Sequence, residues 1–133
     1  MEDCIFCKIV KGDIPCTKVY EDDNFLGFLD IEPVKKGHTL LVPKDHVVWI
    51  EEMEDSKLSE SFIVSKKIIK SMKENLGSDY VQIGVVGTDV PHFHIHLIPR
   101  KISDGKLSVM RPQENYENEE EKKEIVEKIK STL

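Results

Sequence analysis

Three of the five histidines in this 133-residue chain stand on alternate positions, in Pro91-His92-Phe93-His94-Ile95-His96-Leu97-Ile98-Pro99-Arg100. On an extended strand the imidazoles of His92, His94 and His96 share one face and Phe93, Ile95 and Leu97 share the other, so one side packs while the other does chemistry. Alternate positions are about 6.6 Å apart, which puts His92 and His96 roughly 13 Å apart on a straight strand. A zinc ion with Zn–N bonds of about 2 Å takes one of them, or two with adjustment, and leaves at least one imidazole free. Two jobs on one strand are expected. A solvent face filled with three imidazoles is the poorer reading, because each charges near neutral pH and repels the next.

A neutral imidazole is a competent nucleophile at pH 7 without a strong base to activate it, and it attacks phosphorus well. A second histidine along the strand can steady charged oxygens or serve the leaving group, while a third orients the first or holds metal. Gly87-Thr88 lies just before the triad, where backbone N–H groups and a hydroxyl could hold phosphate oxygens. The same glycine also fits a plain turn. Cys4 and Cys7 form a Cys-x-x-Cys pair suited to a metal or a redox role, with Cys16 left over. A thioredoxin-type site needs such a pair between a strand and a helix, which an N-terminal position fits poorly. Zinc would need two further ligands, and His38, His46 and the triad can supply them.

These side chains need a scaffold, and the length suits a single domain over 1–133 with one sizeable core. No segment approaches the roughly 20 apolar residues that span a bilayer, and Met-Glu-Asp-Cys is unlike a secretory signal, so a cytoplasmic location is the expectation. The formal charge of -6 offers no basic field for a long phosphate backbone, which argues against extended nucleic acid but not against a small anion.

Lys18 to Glu21 and Phe25 to Leu29 read as two strands around the turn Asp22-Asp23-Asn24, and His38 to Val42 as a third strand ended by Pro43. Leu58, Phe62, Ile69, Met72 and Leu76 recur at helical spacing ahead of Gly77, which predicts an amphipathic helix of about five turns with that stripe in the core. Tyr80 to Val86 gives a fourth strand and the histidine segment a fifth. Short connections imply antiparallel pairing with the helix covering one face. The stretch from Pro99 to Tyr116 reads as a loop. Acids at Glu117 to Glu121, then lysines, with Ile125, Val126, Ile129 and Leu133 at helical spacing, predict a C-terminal helix. The fold class expected is α+β, a five-stranded antiparallel meander carrying a long helix and a C-terminal helix.

The segment His92-Phe93-His94-Ile95-His96-Leu97-Ile98 resembles the His-φ-His-φ-His-φ-φ signature of the histidine triad superfamily, φ being apolar. Cys4 to Ile9, Phe28 to Ile31, and Lys36-Gly37-His38-Thr39-Leu40-Leu41-Val42-Pro43-Lys44-Asp45-His46 are similar, in sequence and order, to its nucleotide-binding branch. The resemblance covers about the first 100 residues. It implies a homodimer that binds a purine nucleoside monophosphate (AMP-like) and transfers or hydrolyses it at the α-phosphorus, the substrate being a phosphoramidate or dinucleoside polyphosphate. By the same resemblance His94 is the nucleophile and forms a covalent nucleotidyl-histidine, His96 contacts the phosphate and helps the leaving group, and His38 supports the triad by hydrogen bonding. Asp30 would hold the ribose hydroxyls, Phe6 and Ile31 the base. The metal-containing relatives place structural zinc on residues matching Cys4, Cys7, His46 and His92, a closed donor set with no open position for water.

Where many relatives carry an Asn-Gly-rich loop and a Gly-Gln or Gly-Ser pair, this chain has Ile83-Gly84-Val85-Val86-Gly87-Thr88-Asp89, so Thr88 stands at the polar phosphate contact. Threonine still donates a hydrogen bond. The altered loop motivates a rival reading, a nucleotide-binding or scaffold protein with little turnover, and the cysteines and histidines motivate a third, a metal-handling module.

Overall fold

The computed structural model describes residues 3–105 and 111–133. Strand β1 (Lys18–Glu21) and strand β2 (Phe25–Leu29) form the expected hairpin, whose turn is closed by Asp22 Oδ1 accepting from the backbone N–H groups of Asn24 at 2.7 Å and Phe25 at 2.8 Å. Strand β3 (Thr39–Pro43) pairs antiparallel with β2. The chain then crosses through helix α2 (Asp55–Asn75) and returns as strand β4 (Tyr80–Gly84) and strand β5 (Ile95–Arg100).

The sheet is antiparallel with five strands, as expected, in the order β1-β2-β3-β5-β4. The last strand in sequence is therefore an interior one. Every residue of β5 is buried whereas β4 is half exposed, so β5 takes the interior place and β4 the edge.

Two apolar layers lie on the two faces of the sheet. On one, Val19, Phe25, Leu29, Leu41, Phe93, Ile95 and Leu97 pack against Val64, Ile68 and Met72 of α2 and against Val126 and Ile129 of helix α3 (Glu119–Lys130). On the other, Leu26, Phe28, Leu40 and Val42 pack against Cys4, Phe6, Cys7 and Ile9 of a short helix α1 (Ile5–Lys11) and its cap.

The stripe expected on α2 needs one correction. Met72 is fully buried, and Leu58, Ile69 and Leu76 pack at its margins, but Phe62 is 38 % exposed. The buried face includes Ser61, Val64, Ser65, Ile68, Ser71 and Met72. Serines are small enough to let the helix lie close to the sheet, and their hydroxyls are satisfied by backbone carbonyls: Ser61 donates to Leu58, Ser65 to Ser61, and Ser71 to Ile129 of α3. Hydrophobicity alone therefore placed Phe62 in a stripe from which it is partly excluded. Helix α3 begins where its acids predict, with Asn118 accepting from Glu121 N at 2.8 Å, and it buries Val126 and Ile129 while Leu133 is exposed.

A second correction concerns the triad. Regular strand begins only at Ile95, so His92 and His94 lie in a bent segment before it. Pro91 has no N–H to give a ladder, and the next two donors go elsewhere: His92 N to Val90 O at 2.8 Å and Phe93 N to Val47 O at 2.6 Å. The alternation of faces survives the bend, since Phe93, Ile95 and Leu97 all enter the α2 layer.

The loop expected after Pro99 includes a short 3₁₀ turn at Ile102–Asp104, and its stretch 106–110 lies outside the described residues. Beyond it the chain folds back on residues 33–37. Gln113 N and Glu114 N both donate to Pro33 O, Lys36 N donates to Glu114 Oε1, and Gly37 N donates to the Tyr116 hydroxyl at 3.0 Å. Among the described residues no helix is long and apolar enough to cross a membrane.

Candidate active site and metal centre

The face of the sheet opposite α2 gathers all five histidines into two adjoining sets. In the first, His94 Nδ1 lies 2.7 Å from the carbonyl oxygen of His92. A carbonyl can only accept, so Nδ1 carries the proton and Nε2 of neutral His94 holds a bare lone pair. That Nε2 is buried and makes no hydrogen bond, its nearest charged neighbour being Asp89 Oδ2 at 3.4 Å. A buried, unsatisfied acceptor is costly unless something else occupies its lone pair, and this one is aimed at whatever enters the site.

His38 and His96 form a directed relay. The backbone N–H of Val34 donates to His38 Nδ1 at 3.1 Å, so the His38 proton sits on Nε2, which is 2.9 Å from His96 Nδ1. His96 Nδ1 is thereby the acceptor, and its own proton is placed on Nε2. Burial, reinforced by the neighbouring His96, Arg100 and His94, pushes His38 down to about 3, and burial with His94 beside it pushes His96 down to about 4. Both are neutral at pH 7, and His96 presents an N–H donor. The His94 and His96 rings meet edge to face with centroids 4.9 Å apart.

Asp30 follows β2 and stands 3.7 Å from His38 Nε2 through Oδ2, while its Oδ1 accepts from Glu32 N at 2.9 Å. Burial raises its pKa above the usual carboxylate range. Beside it opens a mostly apolar pocket of about 230 Å³ lined by Phe6, Ile9, Phe28, Asp30, Ile31, Leu40 and Asp89, among others. Phe6 is its floor, buried and set edge-on to His94 with centroids 5.0 Å apart. Ile31 is on the rim, 80 % exposed.

The second set is Cys4, Cys7, His46 and His92, whose donor atoms lie within 4.8 Å of one another. His92 Nε2 is 2.8 Å from Pro43 O, which places its proton there and turns a free Nδ1 toward Cys4 Sγ at 3.4 Å and Cys7 Sγ at 3.5 Å. His46 Nδ1 is 3.2 Å from Cys7 Sγ. Tetrahedral ligands at zinc distances are separated by about 3.3–3.8 Å, close to the three separations just given, so these four donors are suited to one ion. The carbonyl behind His92 is the usual outer-shell partner of a metal-bound imidazole.

Thus His38, His94, His96, Asp30 and Phe6 come together, and the four Cys and His residues gather next to them. Gly87 and Thr88 are placed less tellingly. Gly87 has φ +87° and a Cβ there would lie 2.9 Å from the Trp49 ring, so its form is already required by the turn, and Thr88 is exposed. Two residues escaped the sequence reading. Asp89 carried only the signal of a carboxylate three positions before the histidine triad. Tyr116 lies in a stretch without periodicity and offered none.

The HIT domain family model matches residues 11–102. The adenosine 5'-monophosphoramidase hnt1 of Schizosaccharomyces pombe is 40% identical over 131 residues, covering 96% of this chain and 98% of that protein. The adenylylsulfatase HINT3 of Arabidopsis thaliana is 40% identical over 107 residues, covering 77% of this chain and 54% of that protein. The crystal structure of a Zn-bound histidine triad family protein from Mycobacterium smegmatis superposes with a TM-score of 0.83 at 33% identity, covering 98% of this chain and 93% of that one. With its triad in place and the match running through most of its length, the chain belongs to the histidine triad family, as a HIT domain protein.

Proposed function

We propose that this protein is a nucleotide hydrolase or nucleotidyl transferase, acting at the α-phosphorus of a purine nucleotide through a covalent nucleotidyl-histidine on His94. The observation that carries the reading is the buried Nε2 of His94, which the Nδ1 hydrogen bond to the His92 carbonyl makes the unprotonated nitrogen of the neutral ring and which makes no hydrogen bond itself. Its lone pair attacks phosphorus, the leaving group departs with the electron pair of the broken bond, and the positive charge formed on the ring is steadied by the His92 carbonyl. Water then cleaves the phosphorus–nitrogen bond, releasing the nucleoside monophosphate and a proton and restoring neutral His94. His96 Nε2–H donates to a phosphoryl oxygen or the leaving group, and His38 holds His96 in the tautomer that allows it. Phe6 and Ile31 take the base, Asp30 the ribose hydroxyls, and Gly87 and Thr88 the phosphate. The names of the yeast and plant relatives support phosphoramidate and adenylyl substrates, to which we add dinucleoside polyphosphates.

Zinc on Cys4, Cys7, His46 and His92 belongs to the same reading, supported by the donor spacing and by the Zn-bound relative. Bound there it supplies structure: a closed Cys₂His₂ set ties α1, and with it Phe6, to the segment that carries the nucleophile. The protein is a homodimer in this reading. β4 is an edge strand whose Ile83 is 45% exposed, followed by exposed Val85 and Val86, and an uncovered strand edge with apolar residues of this kind favours pairing with a second copy.

Incubation of purified protein with adenosine 5'-phosphoramidate tests the reading. AMP release is expected, with His94→Ala at least about a thousandfold slower yet still able to bind AMP. Unchanged turnover by His94→Ala would exclude the mechanism. Tight AMP binding with no turnover of any nucleotide substrate would leave the scaffold reading instead.

A further inference from the structure

We propose that Asp89 is a specificity-determining residue that discriminates between leaving groups by their charge, favouring amines over anions such as sulfate or phosphate. The proposal rests on the nucleotidyl-transfer reading above and concerns a residue which that mechanism does not use. Its carboxylate stands 3.4 Å from the attacking Nε2, and the ligand atoms of Asp89, His94 and His96 all lie within 4.8 Å of one another. The His94 side chain is fully buried while that of Asp89 is 53 % exposed, and Asp89 also lines the apolar pocket. Asp89 therefore spans from solvent to the reaction centre.

In an in-line displacement the leaving atom lies beyond phosphorus, roughly 4 to 5 Å from Nε2. A carboxylate 3.4 Å from Nε2 and clear of phosphorus stands about 4 to 5 Å from that atom, near enough for its charge to act on it. The repulsion between Asp89 and the phosphoryl oxygens is common to all substrates and cancels in any comparison between them. What does not cancel is its interaction with the departing group. For a phosphoramidate protonated on nitrogen, Nε2 bonds to phosphorus, the P–N bond breaks, and its electron pair passes to nitrogen, so a neutral amine leaves. Before and during cleavage that nitrogen is cationic with N–H groups to donate, and Asp89 stabilises it. For an adenylyl sulfate or a polyphosphate the same bond cleavage gathers negative charge on the leaving oxygen, and Asp89 opposes it.

The test is the ratio of kcat/KM for adenosine 5'-phosphoramidate to that for adenylyl sulfate, in native protein, Asp89→Asn and Asp89→Glu. The native ratio is expected to favour the amidate. Asp89→Asn should lower the ratio by about tenfold or more, through slower amidate cleavage and faster sulfate cleavage, after discounting the Coulomb term for partial exposure. Asp89→Glu should keep the native preference. If Asp89→Asn changes both substrates by one common factor, or neither, the carboxylate does not select and the proposal falls. If native protein turns over neither substrate, the parent reading falls and takes the proposal with it.

Discussion

His38 fixes the proton of His96. With Val34 N–H donating into its Nδ1 at 3.1 Å, His38 can only donate from Nε2, and His96 Nδ1, 2.9 Å away, can only accept. The consequence is an N–H on the outer nitrogen of His96, facing the site.

Such buried neutral histidines make stability depend on pH. In the unfolded chain each takes a proton near 6.5, whereas in the folded protein His38 is held down to about 3 and His96 to about 4. Below pH 6.5 the unfolded state thus binds more protons, so stability is greatest above that pH, falls as pH drops toward 4, and levels off below the folded values. One histidine at full effect contributes about 1.4 kcal/mol per pH unit. Urea denaturation of native protein and His38→Asn at pH 7.5, 6 and 5 should show the advantage of the native chain shrinking as the solution is acidified. A constant difference would mean that His38 is not held neutral.

Elemental analysis should find about one zinc per chain, and Cys7→Ser should lose it. Helix α1 has only seven residues, too few to persist alone, so metal loss is expected to free it and remove the Phe6 wall of the pocket. Thermal melting should then drop on chelation, with AMP affinity falling in parallel. Retention of both after complete zinc removal would count against the structural role.

Tyr116→Phe deletes the acceptor of Gly37 N–H on the loop that also carries Val34. The cost should be about 1 kcal/mol of stability. Because the loop aims His38 rather than touching substrate, kcat should fall several-fold while KM stays level; a change in KM alone would place Tyr116 at the substrate instead.

Ile83→Lys puts a charge on the β4 edge. Sedimentation velocity should show monomers where the native chain gives dimers, with the melting transition of the monomer still cooperative. A dimer that survives the charge would locate the interface elsewhere.

The sequence made some of this readable and hid the rest for physical reasons. The β1–β2 hairpin and the presence of α2 rest on local signals, an aspartate turn and a helical period, and both were legible. The period of two likewise separated His92, His94 and His96 from Phe93, Ile95 and Leu97 even though the first two histidines lie outside regular strand. Helix α1 was too short to show a period. The interior position of β5 depends on burial of a face that carries His96 and Arg100, which their polarity disguised. Ser61, Ser65 and Ser71 face the core because their hydroxyls bond to backbone, a satisfaction invisible in hydropathy. Asp89 matters only through a distance to His94 that the sequence does not state.

In many enzymes a nucleophilic or basic histidine is oriented by a carboxylate side chain, and a single base change can remove that partner. Here the orienting group of His94 is a peptide carbonyl, that of His92 two positions before it. No substitution at residue 92 deletes it; only a change in the path of the bent segment can. The tautomer of the neutral His94 ring is thus written into the chain's course, which leaves the side chains around it, Asp89 among them, free to vary and, under the proposed mechanism, to adapt it to different substrates.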